Sequence, residues 1–529
     1  MASATEQILS IGPPESQRRR RPSRDLTIAT LIVLGAFGVY LWQLTIPDST
    51  SIYDSGVYFA ATLHLVSGVM PYKDFTFVNP PGILLLMSPL GFLSHLVGSH
   101  DAFIVARVIT SAVTAFNAGL LAWLVRRKGG LAMVVAGFGL ALLPVAMLVS
   151  SAVKLDPYSI LFVLLGAQVI LSQDHPPGAL STRRLIVGGV LFGFAGDIKL
   201  WAVFPFIALL LCLVSWVRLR AVVAVGSAAI GFIVPSLPFV ILAPHSFVSQ
   251  IFTAQLSQKY NPAVSLGTLW RIIDLTGFSL TSIAPTAREA VTAFLVLSLT
   301  VVVAYSRRRS HEFVDLFLLL SAAVTVFALL YAPVSDAYYA YFAAPFLLGV
   351  LGVSLSRIRA MVWDRKRYRS ANSSTRTLKW ISAVVGAGLL VALTFCTTSS
   401  YKNIAASEGI SGVDLSAIDN LIPVTSCVVY DFVFYGVDTN RFQADQTNCP
   451  DVVDPYGMWQ SWGDQLIAPS PVFVAEWQAY FEQAQFVVIQ SPETTYIPWN
   501  TGLHEWFAKN YYLIYSNEYI CIYQHNSRA

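Results

Sequence analysis

The sequence predicts a polytopic α-helical membrane protein of about eleven spans, carrying a small extracytoplasmic α/β domain at its C-terminus. Three observations predict it. Of 529 residues, 55% are hydrophobic and only 12% charged, too apolar a mix for a chain whose whole surface faces water. The basic residues gather in clusters between long apolar runs. After about residue 400 the apolar runs shorten and take on the alternation of strands.

The N-terminal segment 1–25 carries Arg18, Arg19, Arg20, Arg21 and Arg24 and precedes an apolar run from Leu26 to Ile46 that is long enough to span. It reads as a cytoplasmic tail before an uncleaved first helix. Further basic clusters, Arg126-Arg127-Lys128, Arg183-Arg184, Arg218 with Arg220, Arg307 to Arg309, and Arg357 to Lys379, are assigned to the cytoplasm. These anchors fix parity. Three apolar runs lie between Arg24 and Arg126, so only two cross, and the shortest, 83–97, becomes an outer juxtamembrane helix. Arg184 to Arg218 then requires two short helices meeting near Gly196 to Trp201. Further spans are expected near 103–125, 131–150, 157–172, 222–243, 288–306, 313–332, 338–356 and 380–398. The transmembrane module is thus 26–398, with a first outer loop at 47–102, and the outer domain is 399–529.

In that domain VVYDF, QFVVIQ and YLIYSNEYICIYQ read as strands, the last a hairpin around Ser516-Asn517, with helical spacing between them. Cys427, Cys449 and Cys521 offer a disulfide without specifying its pair. The net charge of +4 is no nucleic-acid footprint, and the 12 Trp and 23 Tyr suit a headgroup zone.

The first outer loop carries the chemistry. Asp54 lies just beyond the membrane exit at the start of a helix-compatible segment. Ser67-Gly68 makes a turn, Pro71-Tyr72-Lys73-Asp74 follows, and Asn79-Pro80-Pro81-Gly82 opens an apolar helix. This order, closed by a short polar turn and by Ala106-Arg107 in the next span, resembles the GT-C glycosyltransferases. Within them it is most similar to the protein mannosyltransferase and lipid A aminoarabinose transferase-like branch. The likeness covers about 26–127, continues in register through Asp156 and Lys199, and beyond 220 is one of architecture. Where such proteins normally carry an acidic pair and Lys-Pro-Pro-Leu, this chain has Asp54-Ser55 and Asn79-Pro80-Pro81-Gly82. No metal ligands are assigned, and a divalent cation stays open as a cofactor.

The resemblance implies an enzyme of a bacterial plasma (inner) membrane that moves a sugar from a polyprenyl-phosphate donor to a glycan, glycolipid or protein acceptor on the outer face. Such chemistry needs a carboxylate to take the acceptor proton and cations to hold the departing phosphate. Asp54 is the candidate base. Lys73, Arg107 and Lys199 are candidate cations near the outer interface, and Asp74 and Asp156 candidate substrate-binding carboxylates. A single displacement by one base implies inversion.

Each residue has a plainer alternative. Asp54 is also a good helix N-cap, Asp74 a turn residue, Asp156 a cap before Pro157, and Lys199 and Arg107 cations that snorkel to headgroups. His64 reads as a structural polar residue, and Tyr338, Tyr339 and Tyr341 as an aromatic belt or, in the minority, a sugar-lining group. Gln250, Gln255, Lys259 and Arg271 belong to a long outer loop that could cover the site. The rival class is a transporter or lipid-carrier flippase, against which stand the absence of paired repeats and the gathering of polar residues at one interface.

Overall fold

The computed structural model describes residues 22–44, 53–171, 180–256, 275, 313–332, 336–367, 414–445, 449–461, 470–491 and 496–526. The expected spans 288–306 and 380–398, the cluster Arg307 to Arg309, and Lys259 and Arg271 lie outside them. Among the described residues five helices are long and apolar enough to cross a membrane, and one bent helix pair makes a sixth. The chain is a multi-pass membrane protein.

The membrane module begins with α1 (Pro22–Leu44), α2 (Tyr53–Val66), α3 (Gly82–Val97) and α4 (Ser99–Leu124). Helix α1 is pinned inside the bundle by polar tips: the Tyr40 hydroxyl donates to the Ala141 carbonyl at 2.9 Å and the Gln43 amide to that of Met147 at 3.0 Å. Helix α3, 16 residues long, is too short for a bilayer of about 30 Å at 1.5 Å per residue. It buries Ile83, Leu84, Met87 and Gly91 and leaves Phe92 and Leu96 exposed, the two-faced pattern of a helix lying along an interface.

The run expected to span 131–150 is instead two helices, α5 (Gly130–Ala141) and α6 (Pro144–Ser151), bent by 53°. Pro144 is the cause: it donates no backbone hydrogen bond and forces Leu143 into an extended conformation (φ −69°, ψ 131°). The break swings the end of α6 toward α2, so that Lys154 reaches Asp54, with Asp156 following at the start of α7 (Leu155–Leu171).

Helix α8 (Thr182–Ile198) ends in the turn where two short helices were expected to meet. The helical run after it, α9 (Val203–Leu242), is 40 residues long without a marked break. It cannot be straight. Phe206 packs on Phe192 with ring centroids 5.5 Å apart, while Ser236 donates to Asp197. Residues 206 and 236 would stand about 45 Å apart on a straight helix, yet their partners are five residues apart on α8. The run therefore folds back between Phe206 and Ala224, and its second half returns beside α8. Glycines permit the contact: a Cβ on Gly193 would collide with the Ala228 carbonyl oxygen, and one on Gly189 would come within 2.8 Å of that of Ala224. Helices α10 (Phe313–Leu330) and α11 (Ala340–Arg367) complete the described module.

The C-terminal domain has four strands, β1 (Val428–Tyr430), β2 (Phe486–Gln490), β3 (Tyr511–Ser516) and β4 (Ile520–His525), in the order β1-β2-β4-β3. The β1–β2 pair is parallel and the other two antiparallel, β3–β4 being the hairpin. Besides a short helix at Ser416–Leu421, its described helices are α12 (Phe434–Asp438), α13 (Pro455–Ser461), α14 (Pro471–Gln483) and α15 (Thr501–Asn510). A disulfide joins Cys427 to Cys449, and Cys521 is free.

The domain is seated on the segment between α1 and α4. Phe434 lies so close to α2 that a Cβ on Gly56 would meet its backbone at 2.7 Å. Asn440 accepts from the His100 backbone at 3.0 Å, and Ser99 donates to the Val437 carbonyl at 2.7 Å, satisfying the start of α4. One buried apolar cluster runs from Phe59 and Phe103 through Phe434 into Val488 and Ile522.

Candidate active site

Four chain segments meet above the bundle. The start of α2 brings Asp54, the α6–α7 junction Lys154 and Asp156, the α8–α9 turn Lys199 and Trp201, and the segment before α11 Asp336, Tyr338 and Tyr339. The Lys154 ammonium sits 2.7 Å from Asp54 Oδ2 and 3.6 Å from the centre of the Tyr338 ring, whose hydroxyl donates to the same Oδ2 at 3.0 Å. Lys199 donates to both oxygens of Asp156, at 2.8 and 2.9 Å, and lies over the rings of Trp201 (4.0 Å) and Tyr339 (5.0 Å). Lys154 and Asp156 are each 1% exposed, which a charge tolerates only when paired.

Burial alone would raise the Asp54 carboxyl. The Lys154 charge and hydrogen bond, the Tyr338 hydroxyl and the Lys199 charge outweigh it and hold the group below the ordinary carboxylate range. Asp336 moves the other way: burial first and then the Asp54 charge raise it, against Lys154 and the two tyrosine hydroxyls. A further carboxyl comes from the C-terminal domain. Asp454 Oδ1 accepts from the Tyr53 hydroxyl at 3.0 Å and from the Gly457 backbone at 2.9 Å, and burial, opposed by those two donors, pushes it up to about 7.

Asp54, Asp156 and Lys199, all legible in the sequence, are thus brought together. Lys73 and Asp74 are placed elsewhere. Asp74 pairs with Lys73 at 3.1 Å, accepts from the Met70 backbone at 2.8 Å, and closes the turn in which Tyr72 takes φ 67°. Its described contacts include no member of the cluster, and Lys73 is more than half exposed. Arg107 donates from Nε to the Ser151 carbonyl at 2.7 Å, tying α4 to the end of α6. His64 is buried, held to the Ala444 carbonyl at 2.9 Å, and pushed down to about 4 by burial. Gln250 and Gln255 hold the strand-like stretch before α3, through the Phe77 amide (2.9 Å) and the Val78 carbonyl (3.1 Å).

Sequence reasoning missed Lys154, Asp336 and Asp454 as site residues and set Tyr338 chiefly in an aromatic belt. Lys154 carried a readable signal, a lysine in an otherwise apolar stretch two residues before Asp156. Among the described residues no group of three or more His, Cys, Asp or Glu is arranged to hold a metal ion.

Residues 77–333 match the sequence profile of Glycosyltransferase family 87. The match includes Lys154, Asp156 and Lys199 and begins beyond Asp54. No curated protein sequence matches the chain significantly. Among solved structures, ArnT from Cupriavidus metallidurans bound to undecaprenyl phosphate superposes with a TM-score of 0.60 at 13% identity, over 96% of this chain and 99% of that one. The oligosaccharyltransferase of Archaeoglobus fulgidus, tethered to an acceptor peptide, gives 0.54 at 13% identity over 96% and 74%. The archaeal oligosaccharyltransferase AglB from Archaeoglobus fulgidus, in complex with an inhibitory peptide and a dolichol-phosphate, gives 0.51 at 16% identity over 88% and 69%. The expected resemblance to GT-C glycosyltransferases is borne out.

Proposed function

We propose that this membrane glycosyltransferase of GT-C fold moves a sugar from a polyprenyl-phosphate donor to an acceptor hydroxyl at the outer face of the membrane, with inversion at the anomeric carbon. The observation that carries the reading is the pair of buried lysine–carboxylate contacts, Lys154–Asp54 and Lys199–Asp156, lying side by side under Tyr338 and Tyr339. Each joins a candidate proton acceptor or anchor to a cation suited to a phosphate.

In the reaction, the acceptor hydroxyl gives its proton to Asp54 as its oxygen bonds to the anomeric carbon. The bond from that carbon to the phosphate oxygen breaks, and its electron pair leaves with the polyprenyl phosphate. Lys154 and Lys199 offset the charge that develops there. Lys154 has a second effect. While it rests on Asp54 it keeps that carboxylate a weak base, and movement of its ammonium toward an arriving phosphate relieves the restraint. Donor binding thereby strengthens the base in the complex where it is needed. Asp156, bonded to Lys199 through both of its oxygens, holds that ammonium in place.

The fit of the whole chain to ArnT, a protein seen with undecaprenyl phosphate, supports the donor class. The test is the full-length protein in nanodiscs with undecaprenyl-phosphate-linked hexoses and pentoses, followed by mass spectrometry. Cleavage of the donor with a new glycoside supports the reading. Passage of the intact donor across the bilayer without cleavage would replace it with the carrier alternative.

A further inference from the structure

The outer domain brings a group of aromatic side chains to the edge of the carboxylate cluster. Tyr53, the neighbour of Asp54, packs edge-on against Phe432 with centroids 4.9 Å apart and lies 5.6 Å from Tyr496 and 6.5 Å from Tyr456. Tyr456 and Tyr496 are 5.2 Å apart. One turn along α13, Trp459 stacks on Tyr456 at 5.9 Å with the ring planes within 15°. The Tyr456 backbone N–H donates to the Tyr53 hydroxyl at 2.8 Å, so this aromatic face begins one residue from the proposed base. Burial pushes the Tyr456 and Tyr496 phenols up to about 12, and Asp54, Asp336 and Asp454 all add to it, which places both rings in the field of the same carboxylates.

The contact between domain and module is centred on Phe434, Val433 and Val437, apolar and buried; Tyr496 rests on that same cluster and Trp459 on the domain's own core. Tyr456, Trp459 and Tyr496 stay half-buried all the same, so packing leaves part of each ring uncovered, and each has an apolar face with a polar tip. Flat rings beside carboxylates suit a sugar: its C–H face is weakly positive and meets the negative face of an aromatic ring, while its hydroxyls find acceptors at the edge. A peptide backbone would want unpaired amide donors and acceptors, which side-chain rings do not supply.

We infer that Tyr456, Trp459 and Tyr496 form the acceptor platform and that the acceptor is a glycan or glycolipid whose sugar ring stacks there, its hydroxyl directed at Asp54. The inference rests on the transfer reaction proposed above and narrows its acceptor class.

The experiment uses the full-length protein in nanodiscs and two separate probes. Saturation-transfer NMR is recorded with methyl mono- and disaccharides of hexoses and pentoses, and with an acetylated Ser/Thr peptide. Undecaprenyl phosphate binding is titrated independently. The expected result is saturation of ring protons in at least one glycoside, tenfold or greater weakening in Trp459→Ala, near wild-type binding in Trp459→Phe, and unchanged undecaprenyl phosphate affinity. If the Ala variant does not fold, as judged by its melting temperature, Tyr496→Ala carries the same comparison. Glycoside binding untouched by folded variants, saturation of the peptide alone, or no glycoside bound by a protein that binds undecaprenyl phosphate would each overturn the platform. A protein that binds glycosides but not undecaprenyl phosphate would leave the platform standing and remove the donor.

Discussion

Replacing Asp54 by Asn tests the base and its buried partner at once. As a helix cap the change would cost little, because Asn caps about as well as Asp. The structure gives the side chain a heavier duty: it is the 2.7 Å counterion of Lys154, which is 1% exposed. Removing one member of a buried pair costs about 3–5 kcal/mol when the other stays charged. Here the Tyr338 ring beneath the ammonium retains part of it, with a desolvated cation–π contact giving back up to about 2 kcal/mol. A net loss of about 1–3 kcal/mol is expected for Asp54→Asn. The double variant Asp54→Asn/Lys154→Met, which leaves no orphan charge, recovers most of it. Turnover behaves differently. It falls by about 10²–10⁴ in the single variant, the span for losing a general base, and the double variant does not restore it. Thermal unfolding in detergent and donor turnover, measured on the same preparations, separate the two effects. Full turnover in folded Asp54→Asn would refute the base. A stability loss below about 0.5 kcal/mol would refute the charged buried pair.

What the sequence reveals and what it hides divide along the reach of local patterns. The basic clusters and apolar lengths locate α1, α4, α7 and the turn between α8 and α9, because hydropathy and charge act residue by residue. The strands and the hairpin of the outer domain follow from alternation for the same reason. The Pro144 break within the 131–150 run is also legible, in the missing N–H and the extended preceding residue that a proline imposes. Asp54, Asp156 and Lys199 could be picked out because each is a charge at the edge of an apolar run. Their partners could not. Lys154 is 100 residues from Asp54, Tyr338 is 284 and Asp454 is 401 from Tyr53, and no periodicity links such positions. Lys73 and Asp74 stand apart from the cluster: they belong to a turn motif beside the site motif, and the aspartate of that turn accepts from the backbone of Met70.

Three further measurements probe other parts of the molecule. Lys199→Ala should weaken undecaprenyl phosphate binding more than Lys199→Arg, and Lys199→Ala/Asp156→Asn should regain stability but not affinity, since Asp156 is left buried without its partner; equal affinities in all forms would return Lys199 to a structural role. Replacing Cys427 and Cys449 by serine opens a loop with a sequence separation of 22 and should destabilise the outer domain by about 3 kcal/mol, while Cys521→Ser should be silent in the same denaturant titration. The pH dependence of that domain turns on Asp454, whose folded pKa of about 7 lies well above the ordinary range of an aspartate, about 4. As pH rises from about 4 to about 7 the unfolded chain releases this proton while the folded one keeps it. The folded state then binds more protons, and stability is lost across that window and levels off above it. Asp454→Asn keeps an oxygen for Tyr53 and Gly457 and cannot ionise, so the variant should gain melting temperature over the wild type at pH 8 and little at pH 4. An equal gain at both pH values would mean that Asp454 ionises normally in the fold, and that its hydrogen bonds to Tyr53 and Gly457 are those of an ordinary carboxylate.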